Sequence, residues 1–334
     1  GFLSVEDLMG VNYHPQLYDE LHRANPQLPI FGSETANTKT TRGEYENDRL
    51  HGWVSAYNMM NPHLGARFGD AICVDAWPFV ASRPFVAGSF TWTGFDYRGE
   101  PNPYGWPDIS NNTGLMDVCG FPKDKYYYLE ACWSRKPMVH LMPMTWNWPG
   151  KEGKPIRVVA FSNARQVELS LNGKSLGFHA MPRDGFVEWQ VPYQPGRLMA
   201  KAFTDGKLMA MDELETTGQP AKIKLSPDRK LLRADGQDTV VVPVSILDSK
   251  GRVAPYATNR VSFQLQGAGR ILGVGNGNPS DHDPDRATER NAFHGYCIVL
   301  VQAQPTPGAF QITASSPGLK SARAKFRARW SRCR

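Results

Sequence analysis

Pro29-Ile30-Phe31-Gly32-Ser33-Glu34-Thr35-Ala36, with Thr41-Arg42-Gly43-Glu44-Tyr45 close behind, decides how this chain is read. A proline break, a short apolar run and a single carboxylate read as a buried strand that delivers Glu34 to its carboxyl end. Upstream, Leu8-Met9-Gly10-Val11-Asn12-Tyr13 has the same texture, and the helical pattern of 16–24, through Leu17 and Leu21, is broken by Pro26-Gln27-Leu28-Pro29. Downstream, helices are expected over 49–60 and 73–82, and a strand over Phe85-Val86-Ala87-Gly88-Ser89-Phe90-Thr91-Trp92. Strand–helix alternation implies parallel βα units, and the carboxyl ends of such strands are where a (β/α)8 barrel keeps its chemistry. Only about three units fit before Lys136-Pro137, whereas a whole barrel takes roughly 250 residues. Residues 1–136 are therefore expected to be the carboxyl-terminal part of a TIM barrel.

Beyond residue 136 the texture changes. Val139 to Trp148 is aromatic and proline-containing, and short alternating runs follow over 157–162, 167–171, 186–191, 198–203 and 208–214. Asn172-Gly173 between two such runs is a strong hairpin signal. Residues 137–218 read as a β-sandwich and, after Gly218-Gln219-Pro220, residues 219–334 as a second, both of immunoglobulin-like type. The expected fold class is thus multidomain α/β plus all-β.

Net charge is +6, yet Lys320 to Arg334 holds seven basic residues and no acid, so +6 less seven leaves the body near neutral at −1. A basic tail suits a polyanion. The strict alternation of Arg323, Lys325, Arg327 and Arg329 with Ala322, Ala324, Phe326, Ala328 and Trp330 favours instead a last strand with one buried and one solvated face. Neither a nucleic-acid nor a membrane partner is expected, and no apolar run is long enough to span a bilayer. The five cysteines, Cys73, Cys119, Cys132, Cys297 and Cys333, have no metal-ligand spacing and do not suggest a disulfide framework, although one bond is left open. Nine Trp, twelve Tyr and sixteen Phe supply both core and surfaces on which a sugar ring could stack.

Three strand ends would converge at one barrel mouth: Gly10-Val11-Asn12-Tyr13-His14, Ser33-Glu34, and Thr91-Trp92-Thr93-Gly94-Phe95-Asp96-Tyr97-Arg98-Gly99-Glu100-Pro101. With Gly120-Phe121-Pro122-Lys123-Asp124-Lys125-Tyr126-Tyr127, Leu169-Ser170-Leu171-Asn172-Gly173-Lys174-Ser175-Leu176-Gly177 and Ala234-Asp235-Gly236-Gln237-Asp238, these segments resemble glycoside hydrolase family 2 over nearly the whole chain. The resemblance is closest to bacterial β-galactosidases with extra carboxyl-terminal β-domains. It implies a retaining exo-β-glycosidase with a carbohydrate substrate, Glu34 as nucleophile, and Tyr13 as the tyrosine that hydrogen-bonds it. It further implies that Trp92 floors the sugar subsite, with Asn12, Asp96 and Arg98 as further sugar-binding candidates.

The family's acid/base, an Asn-Glu pair, has no counterpart here; Asn47-Asp48 and Asn37-Thr38 do not fit its place. It is expected upstream of Gly1, in an amino-terminal half of the same enzyme that would be this chain's partner. A non-catalytic carbohydrate-binding or assembly fragment is the competing reading. Oligomerisation stays open, and a periplasmic or extracellular location is expected. No cofactor or metal is expected. Asp281-His282-Asp283-Pro284-Asp285 fails the calcium-loop pattern at Arg286 and Ala292. His14, His22, His51 and His63 form no trusted ligand set, Gly273-Val274-Gly275-Asn276-Gly277 is turn chemistry, and Ser33 lies in no nucleophile elbow.

Overall fold

In a computed structural model of the chain, residues 5–60 and 73–330 are described. His63, Arg332, Cys333 and Arg334 lie outside them, as do the ends of the basic tail. The chain divides into two compact units, Gly1–Thr216 and Thr217–Arg334.

The first unit opens with three parallel strands, β1 (Met9–Asn12), β2 (Ile30–Glu34) and β3 (Val86–Ser89), in that order across the sheet. Helices α1 (Tyr18–Ala24) and α2 (Cys73–Ala81) cover one face. Met9, Val11, Tyr18, Ile30, Val80 and Val86 form a separate small core there. Period-two alternation sends Phe31 and Ser33 to the other face, where Phe90 stands edge-on to Phe31 and is 66% exposed.

The expected helix over 49–60 shrinks to a 3₁₀ segment, Ala56–Met60. The Asp48 carboxylate takes the amides of Leu50 (2.9 Å) and His51 (3.2 Å), and Asp48 bridges to Trp53. A side chain that satisfies its own local backbone competes with the helix ladder, and here it wins. A short hairpin, β4 (Tyr97–Arg98) with β5 (Ser110–Asn111), and helix α3 (Asp124–Trp133) complete this part.

Two antiparallel sheets follow: β6 (Val139–Met142), β7 (Pro155–Ser162) and β10 (Val187–Pro192), and β8 (Gln166–Leu171), β9 (Lys174–Ala180), β11 (Arg197–Thr204) and β12 (Lys207–Glu215). They close on a core containing Val158, Phe161, Leu169, Trp189 and Leu198, which continues into Met59 and Tyr128. Residues on both sides of Lys136-Pro137 therefore share one interior. The Asn172-Gly173 turn has both residues at positive φ (52° and 81°) and joins Leu171 to Lys174 as a two-residue hairpin.

The second unit is all-β. One sheet holds β13 (Pro220–Leu225), β15 (Thr239–Asp248), β19 (Tyr296–Ala303) and β17 (Gly269–Gly275). The other holds β14 (Leu231–Arg233), β21 (Ala322–Arg329), β20 (Gly308–Ser315), β16 (Arg260–Gly267) and β18 (Glu289–Asn291). Val242, Ile246, Val261, Val299, Ile312 and Phe326 lie between them. The last strand alternates as the sequence predicts, with Ala324, Phe326 and Ala328 inside. In the aspartate-rich loop, Asp281 and Asp285 pair with the buried guanidinium of Arg290 at 2.9 and 3.2 Å, so protein cations neutralise these carboxylates. No helix among the described residues is long and apolar enough to cross a membrane.

Asp248, at the end of β15, is fully buried and accepts from the Gly218 amide (3.0 Å) and from the Arg252 amide and guanidinium (2.9 and 2.6 Å). Burial pushes its carboxyl up, but Arg252 and the amides outweigh that and hold it well below the usual range. A depressed carboxylate contributes stability at pH above about 4 and loses it as pH falls. Asp248→Asn should cost about 3 kcal/mol at pH 7 by denaturant unfolding, and the gap to wild type should narrow below pH ~4.

Candidate active site

The parallel ladder continues past the formal strand ends and fixes where the side chains emerge. Tyr13 N donates to Glu34 O (2.7 Å), Phe90 N to Gly32 O (2.8 Å), Thr35 N to Phe90 O (2.9 Å) and Trp92 N to Ala36 O (3.1 Å). Gly32 is required by space: a Cβ there would lie 2.4 Å from Thr35 Oγ1 and 2.7 Å from the Tyr18 hydroxyl. Any larger residue would push β2 away from α1 and move Glu34 with it.

At the carboxyl ends, Tyr13 takes φ 56°, a left-handed conformation that is uncommon for a bulky residue. Its hydroxyl donates to Glu34 Oε2 in a short hydrogen bond. Tyr13 thus grips its neighbour twice, by backbone and by side chain. Beside it the Ser33 hydroxyl donates to Asn12 Oδ1. Trp92 is 40% exposed and meets the Tyr97 ring edge-on, with centroids 6.0 Å apart. The Tyr97 hydroxyl donates to Glu100 at 3.0 Å. Burial raises its pKa first, followed by Glu100, and the Glu34 charge adds to the rise.

The structure thus brings together Asn12, Tyr13, Glu34 and Trp92. Asp96 turns away from them. It is 7% exposed, with Oδ1 2.6 Å from Lys123 Nζ and 2.8 Å from the Gly114 amide. Both bonds fall on Oδ1 and tie the loop to the start of α3. Arg98 is exposed on β4, with its backbone paired to Ser110.

Lys123, Lys125 and Arg42, to which the sequence pattern assigns no role, hold the site. Lys123 Nζ, 1% exposed, also donates to Thr40 O (2.6 Å) and Asn112 O (3.2 Å), which uses all three ammonium hydrogens. Lys125 Nζ donates to Thr38 O and to Thr113 O (2.6 Å). Burial lowers Lys123 and raises Asp96, and their contact opposes both shifts. Arg42 Nε binds Asp117 at 2.6 Å beneath the Phe121 ring. In the next loop the buried Asp108 carboxyl accepts Ser110 N (2.8 Å) and Asn112 Nδ2 (2.7 Å) and is pushed up to about 7 by burial. The signal available in sequence was Lys-Asp-Lys at a helix start behind a proline: two cations too close to an apolar helix to be merely solvated.

Residues 223–325 match Glycoside hydrolase family 2 C-terminal domain 5, and residues 153–210 match a Domain of unknown function (DUF4982). A β-galactosidase (BoGH2A) of Bacteroides ovatus is 38% identical over 97% of this chain, which spans 39% of that relative. The chain belongs to glycoside hydrolase family 2. A putative β-glucuronidase of Formosa agariphila is 32% identical over 94% of the chain, which spans 34% of that relative. A crystal structure of a β-glycosidase from Bacteroides vulgatus superposes with a TM-score of 0.84 at 29% identity, over 96% of this chain and 45% of that one. The chain therefore spans about two-fifths of the length of these family 2 relatives.

Lys123→Met would leave Asp96 buried without its counter-ion. Its cost should be about 3–5 kcal/mol in denaturant unfolding, and adding Asp96→Asn should recover part of it. A loss below about 1 kcal/mol would show that the pair does not hold the loop.

Proposed function

We propose that this chain is the nucleophile-bearing part of a retaining exo-β-glycosidase, a β-galactosidase, acting on a terminal β-linked sugar. Glu34 attacks the anomeric carbon and forms a glycosyl ester while a second carboxylic acid protonates the departing oxygen. Water, deprotonated by that second group, then hydrolyses the ester. The second carboxylate is contributed by residues outside this chain. In the same reading the parallel sheet is the carboxyl-terminal part of a (β/α)8 barrel, whose open face around Phe31 and Phe90 packs on the remaining strands, and both sandwiches are immunoglobulin-like accessory domains.

The observation that carries this is the Tyr13 hydroxyl on Glu34 Oε2 across two neighbouring strand ends. That bond holds the carboxylate in one orientation at the strand end, as attack on a fixed anomeric carbon requires. No described residue bonds the other oxygen, which is left for the substrate. The Trp92 indole, next to Tyr97, offers an apolar surface for the C–H face of a pyranose, and Asn12 offers an amide for a hydroxyl. The choice of galactoside follows the relative with the higher identity, a β-galactosidase at 38% against a putative β-glucuronidase at 32%.

In the full-length enzyme, Glu34→Gln should lower kcat on an aryl β-galactoside by about 10⁴-fold or more with the melting temperature little changed. Tyr13→Phe, which keeps the ring and removes the donor, should lower kcat/KM on the same substrate, because Glu34 is no longer held in its attack geometry. Full activity in Glu34→Gln would favour the non-catalytic binding or assembly reading.

A further inference from the structure

The outer face of β21 carries Arg323, Lys325, Arg327 and Arg329, all exposed. Successive cations on one strand face lie about 6.7 Å apart, so the row runs for about 20 Å. Elsewhere in the same unit Arg229, Arg233, Arg252, Arg260 and Arg290 each pair with a carboxylate. Among the described residues none pairs with the four on β21. Like charges spaced within a Debye length of about 8 Å repel. A merely solvated face would be served as well by mixed signs. β21 pairs with β20 along its length and with β14 over Arg327–Arg329, so Arg327 and Arg329 do not guard a bare edge.

The rows across from Arg323 and Lys325 are uncharged and hydrogen-bonding. Arg323 stands opposite Thr313, which stands opposite Gln264; Lys325 stands opposite Gln311, which stands opposite Gln266. Leu231 and Arg233 flank Arg327 and Arg329 on the other side. The residues of these rows include no aromatic side chain.

We propose that this face binds a linear acidic polysaccharide, the four cations meeting its carboxylates or sulfates and the glutamine and threonine side chains its hydroxyls. The proposal rests on the carbohydrate-enzyme reading above; to it this adds an accessory domain that holds a polymer whose ends the site works on. Charge complementarity selects a polyanion, and the composition of the face selects among polyanions. Single-stranded nucleic acid is held by aromatic side chains on which bases stack, and duplex DNA is read by an element that enters a groove; these rows hold no aromatic residue, and the exposed Trp330 lies beyond the end of β21. The amide and hydroxyl rows are what a hydroxyl-rich backbone would use.

The test is binding of the full chain to heparin (sulfated) and polygalacturonate (carboxylated) across a salt series, beside neutral dextran and a single-stranded DNA of matched charge. Either acidic polysaccharide should bind, with affinity falling steeply as salt rises, and dextran should not. The variant R323Q/K325Q/R327Q/R329Q should weaken binding at least tenfold with aryl-glycoside turnover of the complete enzyme unchanged, which separates this proposal from the assignment of Glu34. If the fourfold variant does not fold, K325Q/R327Q against K174Q/K207Q, which removes equal charge elsewhere, gives the same comparison. Equal binding by wild type and variant, equal loss in the K174Q/K207Q control, tighter binding of the DNA, or salt-insensitive binding of dextran would each overturn the proposal.

Discussion

Two buried ammonium groups govern the geometry around Glu34 and Trp92. Lys123 and Lys125 stand at the start of α3 and reach four backbone carbonyls, those of Thr38 and Thr40 after β2 and those of Asn112 and Thr113 in the loop beyond Trp92. Removing an ammonium from water costs several kcal/mol. The cost is tolerable because Lys123 finds three acceptors and Lys125 two carbonyls, and because Asp96 supplies the counter-charge at 2.6 Å. Carbonyls of irregular loops cannot satisfy one another as those of strands do. The lysines stand in for a ladder, tying the loop behind Glu34 to the loop behind Trp92 so that neither moves alone.

From that anchor the site follows. The strand ends of β1 and β2 are locked by Tyr13 N on Glu34 O, and the Tyr13 hydroxyl then sets the Glu34 carboxylate. A left-handed Tyr13 is a strained choice that persists because the surrounding bonds over-determine it, the pattern expected where geometry serves chemistry. Arg42 with Asp117 and the raised Asp108 extend the same buried polar network into the next two loops. Such a network rigidifies when fully satisfied and is costly when broken.

Much of this was legible in the sequence, for identifiable reasons. The alternation in Ala322 to Arg329, the Asn172-Gly173 turn and the apolar run before Glu34 are strong local signals, and each lies where its pattern predicts an element. The helix expected over 49–60 failed because Asp48 satisfies neighbouring amides, a competition that apolar spacing does not register. Asp96 was the instructive case. Its position after Trp92 suggested a ligand for sugar hydroxyls, whereas its partners are Lys123 and the Gly114 amide, 27 and 18 residues away. Long-range ion pairs leave no periodic trace, so the partners of Lys123 and Lys125 could not be read from their neighbours.

The central claim, that Glu34 is the nucleophile, is tested most directly by trapping the covalent intermediate. A 2-deoxy-2-fluoro-β-galactoside with a good leaving group should inactivate the full-length enzyme, and peptide mass spectrometry should place the fluoro-sugar ester on Glu34. Stoichiometric labelling of any other carboxylate would contradict the account.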